Sequence, residues 1–503
     1  MTQLKSTSLL KLTLGLSFVS LFTGCNSPMI EPDGSIKHES LQVEPANIAA
    51  LRPNIIYIMA DDMGYGDLGA YGQTKIKTPN IDKLATQGMR FTQHYAGSTV
   101  CGPSRASLLT GLHSGHSPIR GNPVWTNSGK PVDLKPEDVT IAEMLKANGY
   151  KTAAIGKWGL SESKEENGKH LPAMPNQQGF DYFYGLKGHL DAHYYYWHRL
   201  FENNQAFELK DNDYMNNKGI YTHDLFTSKA IEYVEQQTDE QPFFLYLAYT
   251  IPHLALTVPN DSKQQYLDLG WPTRKMDTQG HYRNDTEGNT TYAGMVSRLD
   301  RDIGQLLKTL KMQGLEDNTL VIFTSDNGHE YDRGFFNSNG ELRGSKRDLY
   351  EGGIRIPFIA KWPNKIKANS TSDHISAFWD MMPTFCDLAG GKQCPPTDGI
   401  SMTKALLGDK EQAKHEFLYW EFNEKRGPLQ AVRQGDWKLV KRFKKPIELY
   451  DLSKDLSEAN NIAEANPKIV GDLFEKMASA RTYHPEFTLK KLPNPYKNKS
   501  NKK

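Results

Sequence analysis

The sequence predicts an α/β fold, one large sheet sandwiched by helices, followed by a smaller α+β unit. Three observations carry this expectation. Short apolar runs alternate with longer amphipathic segments, as in a sheet covered by helices. From about Ser401 the texture changes to short strand-like pieces and one helical stretch. At 503 residues the chain exceeds one average domain, which suits a large domain with a small companion.

The chain opens with Lys5 and Lys11 around the start of an apolar run from Leu12 to Phe22, then Thr23-Gly24-Cys25. That run is too short to span a bilayer and fits the core of an export signal. Its end resembles a bacterial lipobox, in which Cys25 would be lipidated and become the mature N-terminus. Phe22 stands where leucine is usual, with Leu21 one step earlier, so a plain secretory signal cut nearby is the alternative. Either reading exports the protein. Residues 1–25 are therefore read as a signal peptide. Residues 26–50, polar and without helical or strand period, are read as a tether.

Four apolar runs of the next segment, 51–400, end in polar clusters. Ile55-Ile56-Tyr57-Ile58-Met59 precedes Asp61-Asp62, and Thr152-Ala153-Ala154-Ile155 precedes Gly156-Lys157-Trp158. Phe243-Phe244-Leu245-Tyr246-Leu247 leads to His253, and Leu320-Val321-Ile322-Phe323 leads to Asp326-Asn327. Open α/β sheets bind ligands beyond the carboxyl ends of their strands, so four such clusters point to one site. In 401–490, Phe417-Leu418-Tyr419-Trp420 and Trp437-Lys438-Leu439-Val440 read as strands, and Ile469 to Met477 as a helix. Residues 491–503 form a basic tail, read as solvated. Lys and Arg number 60 against 59 Asp and Glu, net +1. Outside that tail there is no basic field for nucleic acid.

The run Cys101-Gly102-Pro103-Ser104-Arg105, continuing to Leu109-Thr110-Gly111, carries the chemistry. Proline suits the first helical turn, and helix N-termini favour anions. A lone cysteine is ordinarily a small buried side chain. The full run, however, resembles the signature of the type I sulfatases, Cys-x-Pro-Ser-Arg-x-x-x-Leu-Thr-Gly. That resemblance covers about residues 52–455 and includes Glu448-Leu449-Tyr450-Asp451-Leu452. It implies the large mixed sheet of the alkaline phosphatase superfamily. It also implies that a maturation enzyme oxidises Cys101 to formylglycine, whose hydrate attacks sulfate esters.

Asp61, Asp62, Asp326 and Asn327 offer only oxygen ligands, which favour Ca²⁺ or Mg²⁺ over zinc. Either pair alone reads as turn chemistry, since Gly64 and Gly328 follow. The resemblance implies Ca²⁺, with residue 101 a further ligand. It implies that Lys157 and Lys346 bind sulfate, that Arg105 holds the hydrated aldehyde, and that His253 protonates the leaving oxygen. Catalysis is then covalent and runs in two steps. One hydroxyl at residue 101 displaces the alcohol from sulfur, and the second loses its proton as sulfate leaves. One departure stands out: the commoner pattern Gly-Lys-Trp-His reads Gly156-Lys157-Trp158-Gly159 here. In the family it resembles, the histidine at that position assists the second step, and Gly159 cannot do so.

The stretch His189 to Arg199 is dense in aromatics and histidines, residue types that stack on and bond to sugars. His193 is its candidate sugar contact, and His329 and Glu330 are further candidates for the cleft. The neighbourhood Ser114 to Asn122, with Gly159, is similar to bacterial sulfatases of sulfated galactose or N-acetylgalactosamine units. The implied protein is an outer-membrane lipoprotein, in the periplasm or on the cell surface, acting on a sulfated carbohydrate. Cys386 and Cys394 remain, a local disulfide in an oxidising compartment or two thiols. Two other functions fit the same sequence: a phosphoester or phosphonate ester hydrolase of the superfamily, and a polysaccharide-binding lipoprotein without catalysis.

Overall fold

All four apolar runs become neighbouring strands of one sheet. The computed structural model describes residues 51–489 apart from 124, 163–172 and 425–426. The signal, tether, Cys25 and basic tail lie outside the described residues. In chain order the strands are β1 (Asn54–Ala60), β2 (Met89–Tyr95), β3 (Lys151–Lys157), β4 (Tyr182–Leu186), β5 (Arg199–Glu202) and β6 (Gln205–Glu208). Then come β7 (Phe243–Ala248), β8 (Thr319–Ser325), β9 (Arg355–Lys361), β10 (Ser370–Ser372) and β11 (Ser376–Ala377). They form one 11-stranded sheet in the order β10-β2-β9-β8-β1-β7-β3-β4-β5-β6, with β11 pairing β2.

The centre, β8-β1-β7-β3-β4, is parallel, while β9 runs antiparallel to β8 and β2. The sheet is therefore mixed. Parallel strands covered on both faces read as continuous apolar runs, and β1, β7 and β8 are buried throughout. Ile55, Tyr57 and Met59 face a layer containing helices Cys101–Thr110, Ile141–Ala147 and Met381–Leu388. Ile56 and Ile58 face helices Pro79–Thr86, Thr222–Glu235 and Gly288–Met312. The last of these has 25 residues, with Tyr292, Met295, Val296, Leu299, Ile303 and Leu306 buried at helical spacing. Its Asp300 also accepts the Asn80 and Ile81 N–H groups at 2.9 and 2.7 Å, capping the helix beside it.

A second, antiparallel sheet follows: β12 (Leu418–Glu424), β13 (Gly427–Gln434), β14 (Trp437–Arg442) and β15 (Ile447–Asp451). One face packs on helix Pro467–Ser479 through Val470, Leu473 and Met477. The other packs on Tyr95, Val100, Ile354 and Trp379. The indole of Trp420 donates to the Ala96 carbonyl at 2.9 Å. The small sheet thus buttresses the segment that enters the helix beginning at Cys101. Cys386 and Cys394 are joined by a disulfide. Among the described residues no helix is long and apolar enough to cross a membrane.

One core group predicts how stability responds to acid. His94 in β2 is fully buried against Phe358 and Phe378, with Nδ1 2.9 Å from Ser376 Oγ and Nε2 without a partner. Burial lowers its pKa from 6.5 to about 3. The unfolded chain takes up a proton below pH 6.5 that the native ring refuses, so stability falls through this window. The expected loss is about 2 kcal/mol between pH 6.5 and 5. A His94→Asn variant, though less stable at neutral pH, should show a flatter profile in chemical denaturation. An equal slope in both proteins would refute the assignment.

Candidate active site

The register of β1 against β8 sets the site. Ala60 pairs with Ser325, so Asp61 and Asp326 leave the sheet side by side, and the Asp326 N–H donates to the Ala60 carbonyl at 3.1 Å. Asp62 takes a left-handed φ of 62°, and the two adjacent carboxylates serve different groups. Asp61 Oδ2 accepts Lys157 Nζ at 2.6 Å and Arg105 Nη2 at 3.2 Å. Asp62 Oδ2 accepts Lys346 Nζ at 2.7 Å and lies 3.4 Å from His253 Nε2. The Asn327 amide donates to Asp62 Oδ1 at 2.7 Å, leaving its own Oδ1 buried without a partner.

Lys157 arrives at the end of β3 behind Gly156, whose φ is +105° and where an added Cβ would sit 2.0 Å from the Ala248 carbonyl oxygen. Only glycine fits that approach. Cys101 is the first residue of its helix, fully buried, with Sγ 3.4 Å from Asp61 Oδ1. One turn on, Arg105 is equally buried. It donates to Asp326 Oδ2 from Nη2 at 2.8 Å and from Nε at 3.1 Å, and from Nη1 to the Lys157 carbonyl at 3.0 Å. This multiple contact fixes the guanidinium rigidly. Lys346 also pairs with Glu330 at 3.2 Å. The Nδ1–H of His253 donates to the Leu254 carbonyl, leaving Nε2 as the bare nitrogen of the neutral ring.

The electrostatics describe a site in which opposite charges meet out of water. Three buried carboxylates face three buried cations. Burial opposes ionisation of Asp61, but Lys157, His253 and Arg105 hold its carboxyl well below the usual range. Burial, with repulsion from Asp61, pushes Asp62 up to about 7 against the pull of Lys346. The same causes raise Asp326 to about 6. A bound cation removes that repulsion. The all-oxygen donor set and the orphaned Asn327 Oδ1 fit a hard cation. Burial and the nearby Asp61 carboxylate hold the Cys101 thiol far above its ordinary range, so the unmodified side chain is no nucleophile at neutral pH. Burial and the Lys346 charge lower His253 to about 3.

The structure brings together Asp61, Asp62, Cys101, Arg105, Lys157, His253, Asp326, Asn327 and Lys346, the nine metal-binding and catalytic candidates of the sequence. His193 joins them, its ring stacked on His253 at 4.6 Å and 10°. Glu330 enters through Lys346, whereas the ring nitrogens of His329 are buried without partners. His281, which no motif marks, also joins the wall: its Nε2 lies 3.1 Å from His193 Nδ1 and its Nδ1 3.1 Å from the Tyr194 hydroxyl. His281 lies in an irregular loop with no periodic signal. His113, His116 and Asp398 form a second cluster of ligating types. His113 Nδ1 accepts the Gly115 N–H at 3.1 Å. Its neutral ring therefore carries the proton on Nε2, which faces Asp398 at 3.7 Å, and has no lone pair for a metal. This cluster ties the loop after the Cys101 helix to the segment at 398.

Comparison with known proteins agrees with this geometry. The family model described as Sulfatase matches residues 53–391. That described as N-sulphoglucosamine sulphohydrolase, C-terminal, matches residues 342–482. N-acetylgalactosamine-6-O-sulfatase of Bacteroides thetaiotaomicron is 30% identical, over 92% of this chain and 97% of its own. Human arylsulfatase A is 32% identical, over 84% of this chain and 87% of its own. Among solved structures, Ps i-CgsB in complex with k-i-k-neocarrahexaose superposes with a TM-score of 0.72 at 29% identity, covering 86% of this chain and 94% of that one.

Proposed function

The chain belongs to the sulfatase family and is a sulfuric ester hydrolase, and on that premise we propose that it removes sulfate from galactose or N-acetylgalactosamine units of a polysaccharide, using Ca²⁺ and formylglycine at position 101. The observation that carries this reading is the set Cys101, Asp61, Lys157 and Arg105, joined by hydrogen bonds at the N-terminus of one helix. For the sugar, support comes from a relative named for N-acetylgalactosamine 6-O-sulfate and another solved with a neocarrahexaose. The aromatic and histidine wall around His193 adds to it.

Asp61, Asp62, Asp326 and Asn327 would hold the calcium ion, which supplies positive charge for the sulfate oxygens. The hydrated formylglycine side chain supplies two hydroxyls on one carbon, one to attack sulfur and one to lose its proton when sulfate leaves. Lys157 and Lys346, fixed on either side by Asp61 and Asp62, neutralise the charge that builds on the sulfate oxygens. Arg105, held by Asp61 and Asp326, stabilises an ionising hydroxyl one helical turn away. His253 takes a proton on Nε2 when the anionic ester binds, and returns it to the leaving sugar oxygen. Export, lipidation at Cys25 and a formylglycine-generating maturation enzyme complete the proposal, placing the protein on a bacterial membrane facing its polysaccharide.

Peptide mass spectrometry across residue 101, on protein made with a maturation enzyme, tests the chemistry. Sulfate release from a panel of sulfated galactose and N-acetylgalactosamine sugars, with phosphate esters alongside, tests the substrate. The expected result is formylglycine at 101 with rates on one sulfated sugar at least about tenfold above the others. An unmodified cysteine in active protein would overturn the mechanism. Faster release of phosphate than of sulfate would overturn the substrate class.

A further inference from the structure

Gly159 leaves a gap beside Lys157, and a side chain from the loop after the neighbouring strand faces it. A Cβ added at Gly159 would lie 3.6 Å from Lys157 Cε and 3.9 Å from His189 Nδ1. The two loops are held together. β3 and β4 pair in parallel up to Lys157 and Leu186. The Trp158 and Gly159 N–H groups then donate to the Leu186 and Lys187 carbonyls at 2.9 and 3.0 Å. The His189 N–H donates to the Glu162 carboxylate, which anchors the β4 loop to the β3 loop.

The imidazole of His189 is 5% exposed, and its Nδ1 is buried without a partner. A buried ring nitrogen left unpaired is costly, and a site group that such a nitrogen can serve explains why it is kept. The ring packs edge-on to His193 at 5.2 Å, and His193 stacks on His253. The charges that act on His189 are those of Lys157, His253, Lys346 and Asp61, the groups that line the cleft. Lys157 binds Asp61, which in turn contacts Cys101, so the gap at Gly159 borders the side chain that leads to residue 101. Burial first, then the Lys157 charge, keeps the resting imidazole neutral, so the unpartnered Nδ1 can carry the free lone pair.

We propose that His189 is the base of the sulfate-releasing step, delivering from the end of β4 the imidazole that Gly159 cannot supply. His189 accepts the proton of the second hydroxyl at residue 101 as the C–O bond to sulfate breaks. The O–H electron pair becomes the C=O bond, sulfate leaves with the C–O pair, and the proton passes from His189 to water. No oxidant or reductant is consumed. The inference rests on the sulfatase reading above.

The test compares wild-type and His189→Ala proteins with equal formylglycine content by mass spectrometry and equal Tm. Removing a positioned base of the second step should lower kcat about a hundredfold and lower KM with it, leaving kcat/KM little changed, because the enzyme then waits as the sulfated intermediate. Enzyme quenched during turnover should carry a sulfo group on the peptide containing residue 101, and added imidazole should restore part of the rate. A His189→Ala protein with a wild-type kcat would overturn the inference, as would a loss seen in KM alone without a sulfo-peptide. Wild-type protein that carries formylglycine and releases no sulfate would instead overturn the underlying reading, and this inference with it.

Discussion

A Cys101→Ala protein should fold and release no sulfate, its rate down roughly 10⁴-fold or more. The substitution removes one sulfur atom from a fully buried position and breaks no salt bridge. Its cost is therefore about 1 kcal/mol, and Tm should move by no more than about 2 °C. Arg105→Ala is a poorer test. It would strip Asp326 of its buried partner, an uncompensated charge worth about 3–5 kcal/mol. The thiol itself cannot be the nucleophile, since burial and Asp61 hold it protonated. Specific activity should accordingly track the fraction of residue 101 converted to formylglycine across preparations made with and without maturation. Activity independent of that fraction, or a Cys101→Ala protein within about a hundredfold of wild type, would remove residue 101 from the chemistry.

The parts of this site legible in the sequence are those set by local rules. Strands buried on both faces must be apolar throughout, so β1, β7 and β8 stand out, and residues beyond their carboxyl ends are candidates by position. Arg105 is one helical turn from Cys101, a spacing that needs no tertiary knowledge. Non-local pairing hides the rest. Nothing local says that β7 inserts between β1 and β3, which is what brings His253 to Asp62. The left-handed turn at Asp62 divides two adjacent carboxylates between Lys157 and Lys346, and the sequence Asp-Asp carries no trace of it. His281 reaches His193 from an irregular loop. Gly159 and His189 are 30 positions apart, and only the parallel register of β3 with β4 sets one against the other.

Calcium should stabilise chelator-stripped protein by about 2.7 kcal/mol at a concentration a hundredfold above its Kd, raising Tm and restoring sulfate release together. Asp61, Asp62 and Asp326 place three carboxylates in one buried pocket, and three side-chain cations already balance them. A dication leaves the pocket with two excess positive charges, which suits an anionic ester; without it the pocket is neutral and the ester gains little. Mg²⁺ should substitute weakly, because it demands a tight octahedron and dehydrates reluctantly. The discriminating variant is Asn327→Ala. It deletes the unpaired Oδ1 and the amide that donates to Asp62 Oδ1 but strips no cation of its carboxylate, so calcium affinity, not stability alone, reads the lost ligand. Calorimetric titration should show calcium affinity reduced about tenfold or more, while the calcium-free variant melts somewhat below calcium-free wild type for want of the hydrogen bond to Asp62. Equal calcium affinity in the two proteins would remove Asn327 from the ligand set. A stripped wild type with unchanged Tm and full activity would mean that the site works on its lysines and arginine alone.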